Sequence, residues 1–147
     1  MKVEIQIDEN CIVPKVTILT SEITEEILSL VNKLSQDVTQ VLSGFYDDVC
    51  EIIEPNSIIR IYAASGKVFA VTDKKEYILK QRLYELEERL DKTCFVRISN
   101  SEIINIRKVK KFDLNFSGTI CVYLCNGTVT YVSRRYVKKI KYLLGLT

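Results

Sequence analysis

A chain of 147 residues is about one domain's worth of polymer, and with 47% hydrophobic and 27% charged residues it is composed like a folded globular protein rather than a disordered one. Its 5 cysteines, Cys11, Cys50, Cys94, Cys121 and Cys125, fall in no CxxC spacing and it has 0 histidines, which argues against a zinc site or a secreted disulfide framework and rules out any His-dependent catalytic triad. The formal net charge of +2 hides a division, because residues 1–92 carry 11 Lys+Arg against 17 Asp+Glu whereas residues 93–147 carry 10 against 2.

The first half therefore has a balance of −6 and the second a balance of +8. A segregated basic region is the footprint of a surface that neutralises phosphates, or else a solvated face without a partner. No carboxylate pair stands in a recognisable catalytic spacing, so the chain reads as non-enzymatic and without a cofactor or metal. The apolar runs are only a few residues long against the roughly 20 that a membrane span needs. Acidic residues interrupt the opening Met1-Lys2-Val3-Glu4, unlike a secretory signal, so a cytoplasmic protein is expected. The cysteines are read as buried small hydrophobes, with Cys121 and Cys125 on one face of a strand.

In chain order, Lys2–Asp8 alternates Val3, Ile5 and Ile7 with polar neighbours, the two-residue period of a half-buried strand. Pro14 punctuates, and Lys15–Thr20 has a second short strand pattern. Ser21 is placed to cap a helix from Glu22, with Ile27, Leu28, Leu30, Val31 and Leu34 at helical spacing as far as Ser35. The polar stretch 36–45, with Gly44, reads as a boundary. This divides the chain into a β-β-α appendage over residues 1–44 and a main domain over 45–147. The appendage is expected to serve dimerisation, to dock a partner, or simply to complete the core.

In the main domain, strands are expected at Val49–Ile53, Ser57–Ala64, Val68–Thr72 and Glu76–Leu79, separated by Glu54-Pro55-Asn56, Ser65-Gly66-Lys67 and Asp73-Lys74-Lys75. Lys67 sits at a hairpin tip, where a charge either protects the sheet edge or meets a ligand. A short helix covers 81–90, with Leu83, Leu86 and Leu90 on one face. Next comes Phe95–Arg107, FVRISNSEIINIR, whose apolar run is broken by Ser99-Asn100-Ser101. Three short hydrogen-bonding residues inside such a run favour a turn between two strands. That turn is either a plain connection or a binding loop, and Asn100 can both donate to and accept from a base edge.

Lys108–Phe112 and Leu114–Phe116 read as a basic strand region ended by Gly118. Thr119–Leu124 then meets Thr128–Ser133 across Asn126-Gly127, a hairpin signal associated with the positive φ of a type I′ turn. Ser133 is a good N-cap for a helix over 134–144, in which Val137, Ile140 and Leu144 face a core and Arg134, Arg135, Lys138 and Lys141 form a basic flank. Two arginines at a helix N-terminus oppose the dipole, a cost that function would explain.

The series FVRISNSEIINIRKVKKF followed by CVYLCNGTVTYVSRRYVKKIKYLLG resembles the LytTR DNA-binding domain of bacterial transcription regulators, through its FxRxxxSxxxN core, NG hairpin and SRRYVKKI helix start. The resemblance covers roughly residues 55–145 and implies a mainly β (α+β overall), elongated LytTR-like sheet domain with short helices. It further implies sequence-specific binding of double-stranded DNA, with loops rather than a recognition helix entering successive major grooves. By that resemblance Asn100 and Arg135 match positions that contact bases or phosphates and Lys67 lies in a third contact loop. Arg97, Ser101, Arg134 and Lys138 are counted with them as DNA-binding residues.

Many relatives carry a phosphate-accepting receiver domain upstream, and about 45 residues are short of what such a domain needs. The chain looks instead like the stand-alone regulators of the family, which implies a homodimer on repeated half-sites and a pairing with a small restraining membrane protein. The rival reading is a protein-interaction module that binds no nucleic acid. An RNA binder ranks below both, because Tyr123 and Tyr131 do not form the spaced aromatic pair of RNA-recognition sheets.

Overall fold

The computed structural model describes residues 1–35, 41–115 and 117–146. The chain separates into two compact units, Met1–Thr39 and Gln40–Thr147. In the first, helix α1 spans Glu25–Ser35. It starts three residues later than the sequence suggests, because Thr24 rather than Ser21 caps it, the Thr24 Oγ1 accepting from the Ile27 N–H at 3.3 Å. The strands expected over 2–8 and 15–20 are absent as strands. Their alternation is real, but a strand exists only through a ladder partner, and neither segment has one among the described residues.

The second unit is mainly β. Strands β1 (Leu42–Tyr46), β2 (Val49–Ile53), β3 (Ile58–Ala64), β4 (Lys67–Thr72), β5 (Glu76–Leu79), β6 (Phe95–Ser99) and β7 (Glu102–Asn105) make one antiparallel sheet in the order β2-β1-β5-β4-β3-β7-β6. Strands β8 (Val109–Asp113), β9 (Ile120–Leu124) and β10 (Val129–Val132) make a second, in the order β10-β9-β8. Helix α2 (Leu83–Arg89) precedes β6, and α3 (Arg134–Leu143) closes the unit.

β1 lies in the stretch read as a boundary, and the expected division after Gly44 falls inside it. Gly44 hid the strand, since glycine usually weakens one. Here the sheet needs it: a Cβ on Gly44 would stand 2.6 Å from Ile53 Cδ1 and 2.7 Å from Tyr77 Cβ. Residues 36–40 of that stretch are outside the described residues. β8 ends at Asp113, so Leu114 and Asn115 are not strand, and Phe116 lies outside the described residues.

β3, β6 and β7 are covered on both faces, which explains their nearly continuous apolar runs. Ile58, Ile61, Phe95 and Ile103 pack with Leu83, Leu86 and Leu90 from and beside α2. On the other face Ile59, Val96, Ile98 and Ile104 pack with Ile120, Val122, Leu124, Val132 and Ile140 from the small sheet and α3. Asn105, the last residue of the FxRxxxSxxxN series, is 2% exposed. Its amide donates to the Ile58 carbonyl at 2.9 Å and its oxygen accepts from the Arg107 N–H at 3.0 Å, so it is a structural residue.

Only Cys94 and Cys121 of the five cysteines are buried, while Cys11, Cys50 and Cys125 are exposed, against the expectation of packing for all five. Cys125 does not share a strand face with Cys121, because β9 ends at Leu124 and Cys125 opens the loop that leads to β10. In that loop Gly127 has φ +88° while Asn126 does not have positive φ, so the NG hairpin turns through a glycine bulge rather than a type I′ turn. The β3–β4 connection does have two positive-φ residues, Ser65 at 52° and Gly66 at 75°.

Candidate nucleic-acid interface

The β6–β7 connection is a two-residue turn, Asn100-Ser101, closed by the pairing of Ser99 with Glu102. Its short polar residues hold one another: the Ser101 N–H donates to Ser99 Oγ at 3.2 Å, and the two hydroxyls lie 3.3 Å apart. The turn is also anchored from outside, because the Ala63 N–H near the end of β3 donates to the Ser101 carbonyl at 2.8 Å. Two residues beyond Ala63 the chain turns at Ser65-Gly66, so exposed Lys67 is held on the same rim as Asn100.

α3 starts on that rim as well. Its preceding residue, Ser133, donates its N–H to the Ile98 carbonyl of β6 at 2.9 Å, and its own carbonyl accepts from the Tyr136 N–H. Ser133 is the N-cap by backbone geometry, but its hydroxyl makes no capping hydrogen bond, contrary to expectation. The first turn of α3 holds no acidic residue, and Arg134, Arg135 and Lys138 are all exposed. Tyr136 reaches back, its hydroxyl donating to Asn100 Oδ1 at 3.5 Å, while the Arg135 guanidinium stands 5.9 Å from its ring centre. Asn100 and Arg135 are thus exposed on one side of the unit, with Tyr136 between them.

Arg97 is placed differently from the other expected contacts. Its side chain is 13% exposed and its guanidinium donates to the Ser99 carbonyl at 2.7 Å, the Asn100 carbonyl at 2.6 Å and Glu87 Oε2 of α2 at 2.7 Å. Three of its five donors are therefore committed inside the protein. Sequence reasoning missed Glu87 and Tyr136, whose relation to the turn depends on contacts 10 and 36 residues apart. The tyrosine of SRRY was the available signal, an aromatic amid basic residues at a helix start.

Directly after the turn, Glu102 is buried at 6% exposure. Its Oε1 accepts from Thr130 Oγ1 of β10 at 2.8 Å and from Arg60 Nη2 at 3.3 Å. Arg60 Nε lies 3.2 Å from Oε2 as an ion pair whose angle does not make a hydrogen bond. Burial pushes the Glu102 carboxyl above its ordinary range, and the Thr130 hydroxyl and Arg60 only partly offset that. One carboxylate so links β3, β7 and the small sheet just behind the exposed turn.

The LytTr DNA-binding domain model matches residues 48–145, two thirds of the chain and all of this rim. The chain belongs to the LytTR family. The LytTR domain of this protein is similar in fold to a LytTr DNA-binding domain from Bacillus cereus, with a TM-score of 0.70 at 23% identity, covering 74% of this chain and 99% of that one. Over the whole length the LytTR protein is 34% identical to an HTH-type transcriptional regulator of Staphylococcus aureus strain NCTC 8325, covering 99% of each chain. It is 38% identical over 122 residues to one from strain MW2, covering 83% of this chain and 81% of the relative. Among the described residues of this LytTR chain no two helices are joined by a short turn. No described helix is long and apolar enough to cross a membrane.

Proposed function

We propose that this LytTR protein regulates transcription by binding a specific double-stranded DNA sequence, with the Asn100-Ser101 turn, the β3–β4 turn and the start of α3 entering the major groove. The observation that carries the reading is the clustering of three polar or basic elements on one rim, bound to one another through Ala63 N–H to Ser101, Ser133 N–H to Ile98 and Tyr136 to Asn100. Lys67, Arg134 and Lys138 neutralise phosphates, which supplies affinity and makes it salt-dependent. Asn100 and Arg135 read base edges, since an amide fits adenine and a guanidinium fits guanine in the major groove. Ser101 contributes its hydroxyl beside Asn100. Two copies act on repeated half-sites.

Fluorescence anisotropy on DNA fragments selected by the full-length protein tests the reading. Arg135→Ala is expected to cost about 1–3 kcal/mol on the selected site and to relax preference at one base position. Equal binding of selected and scrambled DNA by the wild type would reject the sequence specificity, and no salt-dependent binding at all would reject DNA binding in favour of a protein-interaction module.

A further inference from the structure

The N-terminal unit is built unlike the rest of the chain: none of its described residues with an assigned exposure is buried. Val3, Ile5 and Ile7 are 84%, 90% and 88% exposed, although their alternation with Lys2, Glu4, Gln6 and Asp8 is a strand pattern. Residues 2–7 lie in no sheet and make no backbone hydrogen bond among the described residues, while Lys2 and Glu4 pair at 2.8 Å in open solvent. A strand-patterned segment with bare apolar side chains and unpaired backbone is a template for another strand.

We infer that this segment pairs antiparallel with the same segment of a second copy of the chain, about a twofold axis at Ile5. The sequence is self-complementary in that register: Lys2 opposes Asp8, Val3 opposes Ile7, Glu4 opposes Gln6 and Ile5 opposes itself. Both ends then carry an opposite-charge pair, and all apolar side chains share one face. Sliding by two residues one way puts Glu4 opposite Glu4, and the other way puts Glu4 opposite Asp8, so each opposes like charges. Any odd shift sets apolar residues against polar ones and mixes the faces. A twofold contact of this kind closes at a dimer.

Two short strands alone are marginally stable and need a further layer. α1 can supply it, since Leu28, Val31 and Leu34 along one stripe are also exposed. Nine large apolar side chains in this unit, Val3, Ile5 and Ile7 among them, are at least 70% exposed, so the unit leaves its apolar surface uncovered within one copy. The inference deepens the two-copy part of the proposed function, but the pair forms without DNA and is tested without it.

The experiment is sedimentation equilibrium of the full-length protein in the absence of DNA, with circular dichroism confirming that each variant keeps its folded β domain. Wild type is expected to be dimeric at micromolar concentration. Lys2→Glu sets like charges against each other at both ends and is expected to weaken self-association about tenfold. Adding Asp8→Lys restores the opposition and is expected to return the dimer. Ile5→Lys, which places two ammonium groups at the axis, is expected to leave a monomer that still shows salt-dependent DNA binding. A monomeric wild type overturns the inference, and so does a dimer indifferent to Lys2→Glu and Ile5→Lys. A dimeric wild type that does not bind DNA would instead count against the DNA reading and leave the pairing standing.

Discussion

The Tyr136 hydroxyl donates to the Asn100 side-chain oxygen at 3.5 Å, joining the first turn of α3 to the tip of the β6–β7 turn. Two segments more than thirty residues apart are thereby set in register on one face, and a groove-reading surface needs that fixed spacing. Tyr136→Phe removes only the oxygen. It is expected to weaken binding to the selected DNA by a few fold while changing stability by no more than about 1 kcal/mol. Anisotropy beside urea denaturation checks both; unchanged affinity would show that the bond does not preorganise the site.

Arg97 holds the same turn from below through the Ser99 and Asn100 carbonyls, with Glu87 orienting the guanidinium. Lysine keeps the charge but cannot reproduce a planar fork. Arg97→Lys is expected to lose discrimination between selected and scrambled DNA while retaining the salt slope of binding, with amide chemical shifts moving at Ser99, Asn100 and Ser101. A drop of about one in the salt slope would instead identify Arg97 as a phosphate contact.

Glu102 titrates against the fold. Its carboxyl is raised by burial, so between its unfolded and folded pKa values the folded state holds the proton more tightly. The contribution of Glu102 to stability is full below the ordinary carboxyl value of 4.5 and is lost as pH rises through the raised folded value. Glu102→Gln cannot titrate, and its oxygen can still accept from Thr130. Its stability is therefore expected to lack that decline, so that the difference between wild type and variant, from urea unfolding across a pH series, grows with pH in the variant's favour. A pH-independent difference would refute the linkage.

Gly44 is where Ile53 of β2 and Tyr77 and Leu79 of β5 crowd the backbone. Gly44→Ala is expected to destabilise the β domain by about 1–3 kcal/mol through overpacking, read as a lower urea midpoint with an unchanged slope. A midpoint at or above that of wild type would mean that Ile53 and Tyr77 yield without cost.

Where the neighbours that make an element are close in sequence, the element was readable. The Ser65-Gly66 and Asn126-Gly127 hairpins, the leucines of α2 and the amphipathic α3 are all local patterns. So was the exposed Ser99-Asn100-Ser101 turn, because its side chains satisfy one another within two residues. Gly44 misled for the opposite reason, as the crowding by Ile53, Tyr77 and Leu79 that leaves no room for a Cβ there arises only when β1 pairs with β2 and with the more distant β5.

What the sequence alone determined is the set of chemical groups on offer: a basic second half, an amide in a turn and arginines at a helix start, without histidine. The tertiary structure decided how they are used. It committed Arg97 inward to α2 and the turn carbonyls, and it buried Glu102 between two sheets. It also set Asn100 beside Tyr136 and Arg135. Those outcomes depend on which surfaces meet across the core, and a side chain's availability is fixed by its distant neighbours rather than by its own identity.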